Sequence, residues 1–252
     1  MTMLARGEPT AAKNPAVDQL IPWLLHENGE LRDIPFSEVI HDTTGKRVLS
    51  FHPADETDAR VVKEISAALD QVMAGLNAPG SVIQSVPRIN EVSSHFEDAM
   101  RETLDAAPGL ACDFPKTADE HTQRSGYPDL RLVDKQSGRV YYLDPKLYAE
   151  GSRDSSFRTF YFEPKVATNK VRDDAVHFIV GFEHEKRAVN AGWKFTRWDL
   201  VDLSKFRVKL KAEFQGSNRD MYRPEGIVAT SADCHSERSE AESKNPGKLP
   251  ER

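Results

Sequence analysis

Asp129, Asp144 and Lys146 are the residues of this sequence best placed to do chemistry together. Asp144 and Lys146 stand two apart at the end of the run Val140-Tyr141-Tyr142-Leu143-Asp144-Pro145-Lys146, and side chains at i and i+2 leave the same face of a strand. Leu130, Leu132 and Val133 form a second short apolar run directly after Asp129, and Asp134 to Gly138 is a turn cluster between the two β-prone stretches. The pattern predicts a β-hairpin in which Asp129 opens the first strand and falls opposite Asp144 to Lys146. Two carboxylates and one ammonium then meet at one end of a sheet. Two carboxylates and a strand carbonyl, here that of Pro145, are a donor set that suits a hard divalent cation whose shell is completed by water and a phosphate oxygen. Lys146, on the same face, could orient an attacking water and offset negative charge that develops beside it.

The arrangement Pro128-Asp129, fourteen intervening residues, then Asp144-Pro145-Lys146 resembles the PD-(D/E)xK nuclease superfamily, to which many type II restriction endonucleases belong. The resemblance covers roughly residues 89 to 200. It implies an α/β protein, a restriction-endonuclease-like mixed β-sheet flanked by α-helices. It implies a Mg2+-dependent endonuclease, with Mn2+ as a substitute ion, that cuts double-stranded DNA and leaves 5′-phosphates. Asp129 and Asp144 would be metal ligands and Lys146 a catalytic partner. The family often adds a glutamate from the helix before the sheet, which makes Glu97 the third candidate ligand and catalytic residue and Glu91 its rival. Among the family's roles a type II restriction enzyme is the expectation, acting as a homodimer on a palindromic site. A repair or junction nuclease of the same fold and a non-catalytic nucleic-acid binder are the alternatives.

The elements that must position these groups are legible in part. Val61, Ile65, Leu69, Val72 and Leu76 keep a 3.6-residue period over a helix from Asp58 to Leu76, with Thr57 as its cap and Asn77-Ala78-Pro79-Gly80 as its stop. Ile89, Val92, Phe96, Met100 and Leu104 predict a second helix from Asn90 to about Ala106, with Glu97 beside its apolar face and Glu91 turned away. A shorter apolar set, Val17, Leu20, Ile21, Leu24 and Leu25, predicts a packing helix disturbed by Pro22. Strands are expected at Arg47 to His52, Leu110 to Phe114, Phe157 to Phe162, Val176 to Phe182 and Trp193 to Leu200. Glu163-Pro164-Lys165 repeats the acid-proline-lysine pattern, but thirty-three residues separate it from Asp129. Consecutive strands usually neighbour each other, which favours the nearer copy.

From Lys205 to Phe214 apolar and polar residues alternate, predicting a strand with Lys205, Arg207, Lys209 and Lys211 on one face. With Arg158, these four are the expected DNA-binding residues, because a basic stripe suits phosphate contacts. The local surplus matters because the 252-residue chain carries a formal net charge of -6, so any attraction for nucleic acid has to be local. Cys112 and Cys234 are too far apart in sequence for a CxxC site, and His177 and His184 lack the i, i+4 spacing of a helical zinc site. No glycine-rich loop precedes a lysine, so no nucleotide cofactor is expected. No apolar run approaches the roughly 18 residues that span a bilayer, and a cytoplasmic protein is expected. The expected organisation is a largely helical N-terminal layer over residues 1–88, a nuclease core with its basic strand over 89–228, and a disordered tail over 229–252. The tail has almost no large apolar residues with which to offset its ordering entropy.

Overall fold

The structure is a computed structural model that describes residues 14–26, 31–157, 159–188 and 191–229. The described residues up to Leu210 form one compact unit and those from Lys211 onward a second, smaller one. In the first unit the order is α1 (Pro15–His26), β1 (Ile34–Pro35), α2 (Phe36–Thr44), β2 (Val48–Leu49), α3 (Glu56–Asn77), α4 (Ser93–Asp105), β3 (Leu110–Asp113), β4 (Leu130–Asp134), β5 (Val140–Ala149), β6 (Ala175–His184), β7 (Phe195–Asp202) and β8 (Arg207–Val208). The protein is thus mixed α/β, as expected.

A mixed sheet runs in the order β2-β6-β5-β4-β3, and β7 also pairs with β6. β5 and β6 are parallel over ten residue pairs, from Val140 opposite Ala175 to Ala149 opposite His184. β4 and β5 form the expected antiparallel hairpin, with Leu130 opposite Leu143 and Val133 opposite Val140. Alternation divides the sheet into two faces. On one, Leu132, Tyr141, Leu143, Phe178, Val180 and Phe182 pack against Val61, Ile65, Leu69 and Val72 of α3 and Phe96, Met100 and Leu104 of α4. The other face begins as a second core, in which Val140, Tyr142 and Ala175 pack under Phe36 and Ile40 of α2 with Tyr127 and Leu203. Asp144 and Lys146 continue that second face along β5, beyond the stretch that α2 covers. The catalytic candidates therefore lie where an otherwise apolar face comes out from under its helix.

Polar ties hold the hairpin to α3. Asp134, fully buried, accepts hydrogen bonds from both terminal nitrogens of Arg60, at 3.0 and 2.8 Å, and from the Ser137 hydroxyl at 2.5 Å. Asp58, also fully buried, accepts from Arg139 at 2.7 Å and from the Tyr141 hydroxyl at 2.7 Å. Buried carboxylates are tolerated only with such partners.

Several element boundaries depart from the sequence expectation. The cap of α3 is Asp55, whose side chain accepts from the Asp58 amide at 3.0 Å, so the helix begins two residues before the expected start. Around Asn90 the chain makes a 3-10 turn over Ile89–Glu91, and α4 begins only at Ser93. The strand expected at Arg47 to His52 is reduced to Val48–Leu49. Among the described residues of Phe157 to Phe162 there is no strand. Phe160 and Phe162 instead pack edge-on against Phe36, at 5.2 and 5.9 Å between ring centres, while both edges of β6 are already occupied by β5 and by β2 with β7.

The ten-residue basic strand is likewise reduced to Arg207–Val208, paired with Ile34–Pro35. Its partner is two residues long, and Pro35 brings no amide hydrogen to extend the ladder. The apolar stripe of α1 does not pack as expected: none of its residues is buried, and Leu20, Ile21, Trp23 and Leu25 are exposed. In the second unit a capping box between Ser217 and Asp220 starts the four-residue α5 (Asn218–Met221). The expected tail, apart from Ala229, lies outside the described residues.

Candidate active site

The register of the hairpin decides what meets what. Leu130 opposite Leu143 puts Asp129, one residue earlier, level with Asp144, one residue later. Asp129 follows a cis Tyr127-Pro128 bond at the mouth of β4. Tyr127 is anchored from beneath, its hydroxyl 2.6 Å from Nδ1 of His177 on β6. Burial lowers the His177 pKa to about 3, so the imidazole is neutral and shares a hydrogen bond with the phenol. The residues before Asp129 are thus pinned to the second core.

Asp129, Asp144, Pro145 and Lys146 line one cleft of about 550 Å³ together with Glu97, Arg124, Tyr127, Thr159 and Tyr161. Asp144 is 2% exposed. Lys146 forms an ion pair with Asp144 and lies 3.9 Å from Asp129 Oδ2. Burial acts to lower the lysine pKa, but Asp144 and then Asp129 outweigh it and raise it, so the ammonium stays charged. Burial, and then the neighbouring Asp144, push the Asp129 carboxyl well above the usual carboxylate range. Two acids this close and this dry resist ionising together unless positive charge is supplied.

The donor set fits a divalent cation. Asp144 Oδ2 is buried in direct contact with the Lys146 ammonium, and a carboxylate oxygen so placed keeps a further lone pair that could face a cation. Among the described residues no three acidic, histidine or cysteine side chains stand close enough to enclose a metal on their own. Water and substrate oxygens would have to complete the shell of a cation held there.

The structure brings Glu97 to this cleft and leaves Glu91 out of it. Glu97 is engaged, however: Arg124 reaches it at 3.0 Å, reaches Asp98 at 2.9 Å, and lies over the Phe114 ring at 4.4 Å from its centre. Lys165 does not line the cleft but pairs with Glu163 at 2.7 Å, both side chains being exposed. Sequence reasoning missed Lys170, which is 1% exposed and donates to the Gln123 carbonyl oxygen at 3.0 Å, on the loop that leads to Arg124. A lysine in a polar loop carries no local sign of burial, and no sequence signal would have found it.

The expected DNA-binding residues are not gathered at this cleft. Lys205 and Lys209 are exposed, and Arg207 donates to Asp33 at 2.6 Å. Lys211 belongs to the second unit, where it pairs with Glu213. Arg158 lies outside the described residues. A wider cleft of about 710 Å³ shares Lys146 and Thr159 with the acidic one and extends past Tyr148, Arg153, Phe157 and Asp199 to Leu203 and Phe206.

The site is an acidic pair with its lysine at one end of the β4-β5 hairpin, inside a mixed α/β sheet. The chain belongs to the MjaV family of type II restriction enzymes, whose family model matches residues 29–225. It is 29% identical to the type II restriction enzyme MjaV of Methanocaldococcus jannaschii over 208 residues, 79% of this chain and 89% of that protein. The matched range takes in the whole sheet and every candidate residue named above.

Proposed function

We propose that this protein is a Mg2+-dependent type II restriction endonuclease that cuts double-stranded DNA within the PD-(D/E)xK scheme. The observation that carries the proposal is the meeting of Asp129, Asp144 and Lys146 on adjacent strands at one cleft, in a chain whose family consists of type II restriction enzymes. Asp129, Asp144 and the Pro145 carbonyl would hold the cation, with Glu97 joining once Arg124 is drawn away. When bound, Mg2+ would polarise the scissile phosphate and lower the pKa of an attacking water, and Mn2+ would substitute for it. Lys146 would orient that water and offset charge on the phosphate oxygens. Hydrolysis in this scheme leaves 5′-phosphates.

The partner is double-stranded DNA, held in part by the exposed basic residues Lys205, Arg207 and Lys209, with Arg158 and Lys211 as further candidates. The working form is a homodimer, since two-fold protein symmetry matches a palindromic site. Among the described residues no helix is long and apolar enough to cross a membrane, and the place of action is the cytoplasm, where DNA is. Incubation with mixed plasmid and phage DNA plus Mg2+ tests the reading. Discrete fragments are expected. Smearing or structure-dependent nicking would point to a repair nuclease, and a gel shift over intact DNA to a binder.

A further inference from the structure

Lys146, Gly181 and Asp199 stand side by side across the sheet: Lys146 of β5 is opposite Gly181 of β6, and Gly181 is opposite Asp199 of β7. Residues paired in this way share a face, and with strands about 4.8 Å apart the Asp199 backbone lies about 10 Å from that of Lys146. Gly181 keeps the middle of the row low. A Cβ there would come within 3.1 Å of the Tyr148 ring, so only without one can the ring lie across β6 and donate its hydroxyl to Asp199 Oδ2 at 2.8 Å. This row is the floor of the wide cleft that meets the acidic one at Lys146 and Thr159.

Asp199 has more partners than it needs. Arg197 donates to Oδ1 with two nitrogens, at 3.2 and 2.8 Å, Tyr148 donates to Oδ2, and Arg153 reaches the same Oδ2 at 2.9 Å. Arg197 and Tyr148 alone would satisfy this largely buried carboxylate and neutralise its charge. Arg197 stands outside the cleft, opposite Glu183 on β6, so the guanidinium that faces the cleft is Arg153. Arg153 is exposed, and among the described residues Asp199 is its one ion-pair partner. An exposed pair of this kind contributes little to stability, but it does fix where the guanidinium points.

We propose that the wide cleft holds the DNA strand that carries the scissile phosphate, and that Arg153, aimed by Asp199, binds a neighbouring phosphate of that strand. The proposal rests on the nuclease reading above and adds a contact that reading lacks, since Lys205, Arg207 and Lys209 line neither cleft. A guanidinium can meet two phosphate oxygens at once. Phe160, Val201, Leu203 and Phe206, the apolar part of the lining, suit the uncharged parts of a nucleotide.

The test measures binding of a phage DNA fragment over a salt series, with Ca2+ in place of Mg2+, for wild type, Arg153→Ala, Arg153→Lys and Arg47→Ala. Each protein is first checked by circular dichroism, and cleavage with Mg2+ is followed in parallel. Arg47 is the control, an exposed arginine paired with Asp174 and lining neither cleft. Arg153→Ala should bind at least about fivefold more weakly at low salt, and its plot of log affinity against log salt should be shallower by about one unit, the effect of losing one phosphate contact. Arg153→Lys should keep the wild-type slope, and Arg47→Ala should match wild type in both respects. An unchanged slope in Arg153→Ala, or the same change in Arg47→Ala, overturns the proposal. So does a loss that varies with DNA sequence while the slope is kept, which would make Arg153 a reader of base edges. Wild type that binds the fragment but cuts no DNA would count against the nuclease reading, and the salt series would still judge Arg153. Wild type that binds no DNA would overturn both.

Discussion

Lys146 and Lys165 each follow an acid and a proline, yet only Lys146 has a carboxylate pair to serve. It is packed between Asp144 and Asp129, whereas Lys165 meets Glu163 in solvent, where an ion pair contributes little. Lys146→Ala is therefore expected to lower the cleavage rate at least about a hundredfold, the scale of losing one positioned catalytic group. Lys165→Ala is expected to cleave at close to the wild-type rate at saturating DNA. Single-turnover rates of the two variants decide between the copies. A dead Lys165→Ala beside an active Lys146→Ala would move the centre to Asp129, Glu163 and Lys165. Asp129, Asp144 and Lys146 were legible because a two-residue period and a hairpin turn bring them together by local geometry alone. Glu97 was legible from helical phase, but its engagement by Arg124 was not, because Arg124 comes from a loop with no periodicity. Lys170 was hidden for the same reason.

At the scale of elements, the site depends on the hairpin keeping its register, and Asp134 at the turn holds that register to Arg60 of α3. The Arg60 bond, helped by Ser137, lowers the Asp134 pKa to about 2. A carboxylate with a depressed folded pKa contributes stability that is complete above its unfolded pKa, about 3.9, and lost as pH falls through the folded value. Asp134→Asn should therefore melt below wild type at pH 7, with the gap closing between about pH 4 and pH 2. A gap unchanged by pH across that window would show that packing, not charge, sets the role of Asp134.

The basic stretch around β8 makes a second element-scale prediction. Reversing charge at Arg207 and Lys209 should weaken DNA binding and flatten its dependence on salt, since each lost phosphate contact reduces counterion release. An unchanged salt slope would leave these residues a solubility role. The long helix α3 followed from its hydrophobic period, and the strands β4, β5 and β6 from short apolar, β-prone runs. The strand expected at Lys205 to Phe214 shrank to Arg207–Val208, and none forms among the described residues of Phe157 to Phe162, because a β-prone pattern does not say whether a free edge exists to receive it. Phe160 and Phe162 found aromatic partners around Phe36, and β8 found a partner only two residues long.

For the whole molecule, a net charge of -6 and a DNA substrate are compatible if the negative charge is concentrated where metal neutralises it and the cations stand elsewhere. The arrangement meets this in outline: the buried acids sit at the end of the β4-β5 hairpin, and Lys205, Arg207 and Lys209 project from the segment around β8. The most direct measurement of the central claim is cleavage of phage DNA by wild type, Asp129→Ala and Asp144→Ala, with and without Mg2+, each protein first checked by circular dichroism. Discrete fragments from wild type with Mg2+ alone, and intact DNA from both folded variants, are the predicted result. Undiminished cleavage by either folded variant would contradict the assignment of the hairpin as the catalytic centre.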